Sequence, residues 1–580
     1  MIQTGPIQDI KTDVLIIGSG GAGLRAAIEA KRYGLDVLIV DKVVIGTNNN
    51  TRYAGGGFKA ALPGILSDAY THIPETPYEH TIKALEHGEY LSDENLIETL
   101  CYYAPARILE LKEFGVEHFR DMYLKVPYPH GTGLVKPLMA TIKKMKCRKI
   151  PGFAVIDLLY SDGRCSGLVG FNVYKNKFYK ISSKSTILCT GGAGEIFARN
   201  DTTANTTGDG YVLAFRAGVP LQDMEIIQFE PYVQAEPGLP MMDRHECEAE
   251  FYGILRNQNG EDFLQNYMPA KKAELDAFHK QFGSHLTDIR ERVARAMAEE
   301  VWSGRGDREA VFFDLTVVPD EKWEADIASV YTRSSLLRGF DTKKKWLHVY
   351  PGAICSLGGI VINEHCETAL SGLFAAGEVV GGVHGAARLG GDALSETIVF
   401  GAIAGKSAAQ YALENELAKG DKSQAQKIID SLATFTSVSG NGDSAADIAD
   451  FKKTLKTLMW ENAGLVRNKV GLEKNIDRID QLMRETLPQL KANSCRELKE
   501  ILEARNMCLV AEMVSRAAKL REESRGAHYR TDFPYRDDRK WLANIFIRNQ
   551  GGQMELEVKP KSYFKYKPNT ISKFGFEVRK

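Results

Sequence analysis

The chain has 580 residues, with 74 Lys and Arg against 75 Asp and Glu, and a formal net charge of −1. That length exceeds what one hydrophobic core supports and implies roughly two to four domains. Balanced charge and 44% hydrophobic residues fit an ordinary globular protein with no pull toward nucleic acid or an anionic membrane, and no apolar run approaches the roughly 20 residues of a membrane helix.

The opening MIQTGPIQDIKTDVLIIG lacks the basic-then-apolar order and cleavage site of a secretory signal, so its apolar run is expected to be a first strand. GSGGAG follows, Gly18 to Gly23, then LRAAIEAKRYG, with Ala22, Ala26, Ala27 and Ala30 at helical spacing and Gly34 as the stop. LDVLIVDK reads as a second strand ending in Asp41. Strand, glycine turn, helix, strand and acid in that order predict a dinucleotide site; the alternative is a glycine-rich turn that binds nothing. In such a site Gly18 makes the tight turn, Gly20 lets the pyrophosphate reach the backbone, Gly23 lets helix and strand pack, and Asp41 accepts from a ribose hydroxyl. Ser19, Ala22 and Lys42 complete that candidate set.

NNNTRYAGGGFKAAL, Asn48 to Leu62, is a second glycine-rich turn, offering Asn50, Thr51, Gly55, Gly56 and Gly57. STILCTGG reads as a strand entering a turn at Thr190, Gly191 and Gly192, and TTGDGYVLAFRAG sets Asp209 between glycines before a helix. Repeated punctuation suggests an extended cofactor touched along its whole length, which FAD fits better than NAD.

From about 230 to 347 charged helical stretches such as LTDIRERVARAMAEEVW replace the glycine turns, and after them strand-and-glycine texture returns. The middle is therefore an insertion in one discontinuous domain. The expected division is 1–230 and 348–415 for an α/β, Rossmann-like FAD-binding domain, 231–347 for an α+β capping domain, 416–542 for a helical bundle, and 543–580 for a strand-like tail attached to the surface. In the bundle, Leu502, Leu509, Met513, Ala517 and Leu520 share one helix face. The nine cysteines are scattered, and none forms CxxC. They suit reduced thiols in a cytosol and exclude a self-contained iron–sulfur cluster. No Ser–His–Asp motif and no cluster of metal ligands stands out.

Four segments together resemble the flavoprotein subunits of succinate dehydrogenase and fumarate reductase, a family that includes aspartate oxidase and, more distantly, adenylylsulfate reductase. They are the opening turn, SGRGDREAVFFDL (Ser303 to Leu315), FAAGEVVGGVHGAARLGGDAL, and ESRGAHYRTDFPYRDDRKWL (Glu523 to Leu542). The resemblance implies that the segment near 380 closes the flavin site. There Glu378 holds the ribose or ribityl side, Ser395 or its neighbours begin a helix aimed at the flavin, and Ala393 and Leu394 lie against the cofactor. Arg388 grips a substrate carboxylate and also lies against the cofactor. It implies that Arg305 is the acid that protonates substrate carbon, with Glu246, beside His245, as its relay.

The chain also departs from the family pattern. Glu230 and Ile354 stand where histidines help bind a C4 dicarboxylate, with Cys355 beside Ile354 and His384 near the substrate. Glu230, if buried and charged, would repel a second carboxylate. No histidine precedes His72, and the attachment position falls near Asn50, so FAD is expected to be non-covalent. The implied protein is a cytoplasmic FAD-dependent oxidoreductase acting on CH–CH groups, free or peripheral to a membrane through a partner. Its substrate is a carboxylic acid or thioester other than plain fumarate or succinate. An iron–sulfur subunit or diffusible carrier exchanges the electrons. The alternatives are an aspartate-oxidase-like amino acid oxidase and a protein like the flavoprotein of adenylylsulfate reductase.

Overall fold

The structure, a computed structural model, describes residues 6–54, 57–62, 76–117, 119–120, 124–125, 130–239, 253–267, 290–325, 335–418, 422–436, 444–562, 564–568 and 576–579. The first strand, Gln8–Ile17, buries Val14, Leu15, Ile16 and Ile17 in succession. An unbroken apolar run suits a strand covered on both faces. It pairs in parallel with Val37–Asp41 on one side and Lys177–Leu188 on the other. Helix Gly21–Lys31 links the first two strands, and helix Asp392–Glu414 packs against it.

Strand Leu373–Ala375 pairs in parallel with Lys177–Leu188. The second part of the chain therefore completes the sheet begun by the first, as a discontinuous domain requires. The pairing also brings residues 376–391 to the carboxyl end of the sheet that holds the Gly18 turn, where ligands of open α/β sheets bind.

The inserted region is a second sheet, in the order Ile227–Gln234, Leu347–Ser356, Val311–Asp314, Ile254–Arg256, antiparallel throughout. Helix Arg290–Glu300 packs on it around a core that includes Tyr232, Val293, Met297, Phe313 and Val349. The strands that enter and leave the insertion, Ile227–Gln234 and Leu347–Ser356, straddle the boundaries read at 230 and 347.

Helices Ser444–Ala463, Lys469–Gln481 and Cys495–Leu520 pack together. The last is buried nearly all round, Glu503 and Asn506 included, because it also packs on helix Asp209–Arg216. A single apolar stripe understates it. The segment after 543 is not a surface attachment. Its hairpin, Ala543–Gln550 with Gln553–Pro560, adds to strands Leu221–Gln222 and Gly359–Ile360 and fully buries Ile545 and Ile547.

The segment Glu523 to Leu542 is a buried ion network. Arg525 makes a two-pronged pair with Glu523, at 2.7 and 2.9 Å, and Arg521 contacts Asp223, Glu225 and Glu523. Removing one member of such a network strands the other at a cost of about 3–5 kcal/mol. Among the described residues no helix is long and apolar enough to cross a membrane, and no group of residues could hold a metal ion.

Candidate active site

The glycines of the first turn are each required by a neighbour or a cavity. A Cβ at Gly18, where φ is +104°, would lie 2.1 Å from the Cys189 carbonyl oxygen, and one at Gly23 would lie 2.1 Å from the Gly18 carbonyl oxygen. Gly20 is different. Nothing comes nearer to its Cβ position than Thr51 Oγ1 at 3.7 Å, so the space beside the helix N-terminus is left open. Its N-cap residue, Gly20, has no side chain to cap it. Ser19 turns away instead: its N–H and hydroxyl donate to Asp41 Oδ2 at 2.8 and 2.5 Å, and its oxygen accepts from the Gly46 N–H. Burial raises the Asp41 carboxyl despite these bonds.

Thr51 closes the turn from above by accepting the Gly21 N–H at 3.1 Å. Asn50 accepts the Thr203 N–H at 3.0 Å and donates to Glu378 Oε2 at 3.1 Å. Glu378 Oε1 accepts the Ser356 N–H, and a Cβ at Gly192 would lie 2.2 Å from that oxygen. Burial raises the Glu378 carboxyl. Gly191, at φ +74°, faces open space, while Thr190 Oγ1, Thr203 Oγ1 and Asn49 Nδ2 are buried without a partner. An open cradle beside a helix N-terminus, with orphaned polar atoms nearby, fits a dinucleotide.

Lys42 and Asp209 are tied to the helical bundle. Lys42 pairs with Asp209 at 2.7 Å and with Glu503 at 2.8 Å, and Asn506 holds the other Asp209 oxygen. These two expected cofactor contacts also brace the dinucleotide domain against the helical bundle. Gly55 and Gly56 lie outside the described residues, and Gly57 sits in a two-residue strand.

Ala393 and Leu394 occupy the first turn of helix Asp392–Glu414, behind Gly391 at φ +84°. Asp392 is held by a residue that the sequence did not single out, His80, whose Nε2 lies 2.8 Å from Asp392 Oδ1. Burial alone would raise this carboxyl, but the charge and hydrogen bond of His80, with the charges of Lys59 and His384, outweigh it and hold it below the usual range.

Arg388 is 6% exposed, and among the described residues its side chain bonds only the Leu389 carbonyl, at 3.3 Å, with no partner for its Nε. No described carboxylate pairs with it. Gln228 binds the Arg388 carbonyl at 3.1 Å and Glu291 at 2.7 Å through the same amide nitrogen. Beside Glu291, Arg290 pairs with Glu230 at 3.2 Å, both nearly fully buried. Glu230 is therefore neutralised by an arginine rather than left to repel a substrate. Burial pushes the Glu291 carboxyl up.

Cys355, paired across the sheet with Gln228, is half-buried, as is Ile354. Burial raises the thiol, with the Glu378 charge adding to it and Arg388 and Arg290 opposing it, so the thiol is neutral and lies among these groups. His384 pairs with Glu396 at 3.2 Å, both buried.

Arg305 does not join this set. Its side chain is 39% exposed and makes a two-pronged pair with Glu300, at 2.9 and 2.7 Å. The hydrogen bond to Glu300 raises its pKa further, opposite to what a proton donor needs. The GRG turn ends the cap helix and points Arg305 back along it, whereas Arg290, one helix-length earlier, lies buried against a carboxylate. Arg290 and Glu291 carry no signal in the sequence because a charged helix reads as solvated, and Gln228 carries none because no motif surrounds it. Glu246 and His245 lie outside the described residues.

Comparison with known proteins agrees with this geometry. The FAD binding domain family matches residues 13–394, and the fumarate reductase flavoprotein C-terminal family matches residues 452–573. One component of the CoM/CoB fumarate reductase of Methanothermobacter marburgensis is 34% identical over 567 residues, covering 93% of this chain and 97% of the relative. An uncharacterized FAD-dependent oxidoreductase of Methanocaldococcus jannaschii is 34% identical over 560 residues, with the same coverage. The E. coli quinol fumarate reductase flavoprotein superposes with a TM-score of 0.85 at 26% identity, covering 97% of this chain and 99% of that one. The chain belongs to the succinate dehydrogenase and fumarate reductase flavoprotein family and is an FAD-dependent oxidoreductase acting on CH–CH groups.

Proposed function

We propose that this chain reduces or oxidises the C=C/CH–CH bond of a carboxylic acid, or its thioester conjugate, other than plain fumarate or succinate. The observation that carries the reading is Arg388, buried without a carboxylate partner, across Gln228 and Glu291 from the buried Glu230–Arg290 pair. With Glu230 paired to Arg290 and burial pushing the Glu291 carboxyl up, Arg388 is the guanidinium left to receive a carboxylate. Two-pronged pairing to Arg388 fixes that carboxylate's angle. A second carboxylate finds Arg290 already occupied by Glu230 and an aliphatic Ile354.

FAD, when bound, supplies two-electron chemistry at N5. The protein's own part is to exclude water and move a proton. An arginine serves as an acid only in a dry site with a carboxylate beside it, and Arg290 with Glu230 meets both conditions, whereas Arg305 has its carboxylate, Glu300, but no dry site. Electrons reach a separate iron–sulfur subunit. The Methanothermobacter relative is itself named as one part of a multi-subunit reductase, and the scattered cysteines here leave the cluster to another chain. Co-purification with a brown partner tests this, and a diffusible carrier is the alternative. The complex works in the cytoplasm or at a membrane surface through that partner.

A second reading, an amino acid oxidase, is favoured by Gln228 Oε1 and Glu291 Oε2. Both are buried acceptors without a donor, and both could meet an ammonium group. The deciding experiment mixes anaerobically reduced protein with fumarate, larger 2-enoates and their thioesters, and oxidised protein with L-aspartate. Reoxidation by a larger enoate but not fumarate is the expected result. Rapid turnover of fumarate overturns the substrate reading, and bleaching by aspartate moves the second reading ahead.

A further inference from the structure

Phe576 is far from the glycine turns in sequence, yet it touches both arms of the site. It is buried against Ala387, the residue before Arg388. The Arg295 guanidinium lies 4.3 Å from the centroid of its ring and 5.0 Å from that of Tyr529, and the two rings are stacked at 6.1 Å and 15°. Arg295 belongs to the cap helix that begins with Arg290 and Glu291. One aromatic stack therefore joins the cap helix to the Arg388 loop.

Both rings are themselves anchored. Tyr529 follows Ala527, whose N–H donates to the Ala386 carbonyl at 2.9 Å, and a Cβ at Gly526 would lie 2.3 Å from that same carbonyl oxygen. Phe576 leads into strand Glu577–Arg579, which pairs in parallel with Tyr535–Asp537, and the Arg579 guanidinium covers the Tyr535 ring. Arg536 in that partner strand is fixed by a two-pronged pair with Asp538. The stack thus rests on the buried ion network and not on a free end. Burial lowers the Arg295 pKa to about 10, as expected for a cation drawn out of water onto aromatic faces.

We propose that Phe576, with Tyr529 and Arg295, positions the two arginines of the site by strapping the cap helix to the Ala387–Arg388 loop. This rests on the roles given above to Arg388 and Arg290. None of the three touches the reacting atoms; they act through the elements that carry those arginines. Without the strap the cap helix keeps its apolar packing and the Gln228 bridge from Glu291 to the Arg388 carbonyl, but it parts from the Arg388 loop more often.

The test uses the full-length, FAD-loaded protein and Phe576→Ala, with Phe576→Tyr as the conservative variant. Amide hydrogen exchange in the cap helix Arg290–Glu300 is read without substrate, with helix Gly21–Lys31 as the internal reference. Losing a desolvated cation–aromatic contact is expected to speed cap-helix exchange about tenfold. The reference helix should stay unchanged, and Phe576→Tyr should restore the wild-type rate. With an accepted acid, KM should rise about tenfold while kcat falls less, because the loss is in assembling the site. Should Phe576→Ala fail to fold, Arg295→Met removes the contact from the other side and is read in the same way. Unchanged cap-helix exchange overturns the proposal, and so does faster exchange with unaltered KM and kcat. Exchange needs no substrate, so a wild-type protein inert toward every acid offered would sink the substrate reading while leaving the strap to be decided separately.

Discussion

Asn50 Nδ2 donates to Glu378 Oε2 at 3.1 Å across a sequence separation of 328 residues. The bond joins the turn after the second strand to the segment following Leu373–Ala375, and the Asn50 side-chain carbonyl takes the Thr203 N–H as well. Three distant glycine-rich segments are thereby tied at one residue. The Glu378 carboxyl is raised by burial, so it is sensitive to any further negative charge. Asn50→Asp would place a second carboxylate against it, and FAD affinity should fall about tenfold or more. Ultrafiltration followed by flavin absorbance measures it; full retention of the cofactor would remove Asn50 from the cradle.

The cofactor is expected to come free. Asn49 is turned to cap the short helix Asn50–Tyr53, Asn50 is bound to Glu378, and His80 is engaged with Asp392. Acid precipitation should therefore leave a yellow supernatant and a white pellet. Flavin fixed in the pellet would show a covalent attachment through another residue.

The arginines separate by burial. Arg388→Lys keeps the charge but loses the planar fork, and kcat/KM should drop about 10²–10³-fold. Arg305→Gln should leave kcat/KM unchanged, since its pair with Glu300 is a half-exposed structural one. Arg290→Gln alone strands Glu230 at about 3–5 kcal/mol, so the double variant with Glu230→Gln is the cleaner probe. If the double variant keeps wild-type kcat while Arg305→Gln loses it, the proton belongs to Arg305 after all.

Asp392 gives the acid limb a sign. Its folded pKa is lowered from 3.8, with His80, Lys59 and His384 outweighing burial. A carboxylate depressed in the folded state stabilises fully above its unfolded pKa, and that stability is lost as pH falls through the lower folded value. Asp392→Asn removes that contribution, so the variant should be less stable than wild type above about pH 4, and the gap should close as pH falls below it. Denaturant midpoints taken across that range measure it; parallel curves for the two proteins would mean that the His80 pair contributes nothing to acid stability.

Local pattern alone determined the dinucleotide turn. The spacing of Gly18, Gly20 and Gly23 marks it within one strand–helix unit, although of the three only Gly23 is required by a contact inside that unit, Gly18 being required by the distant Cys189 carbonyl, and the unbroken apolar strands announce a sheet covered on both faces. The discontinuous domain was legible too, because texture changes at the cap and returns after it. Three outcomes needed the tertiary structure. Lys42 and Asp209 became a brace because Glu503, hundreds of positions away, came to lie beside them. Arg290 and Arg305 lie on one charged helix and its terminal turn, and their residue types do not say which is buried; packing on strand Ile227–Gln234 put Arg290 against Glu230 and left Arg305 in water. The segment after 543 alternates like any edge strand, and only its pairing with Leu221–Gln222 made its first strand core, while Gln553–Pro560 stays at the exposed edge. Spacing encodes contacts between near neighbours, whereas the environment of a charge is set by whatever distant chain folds over it.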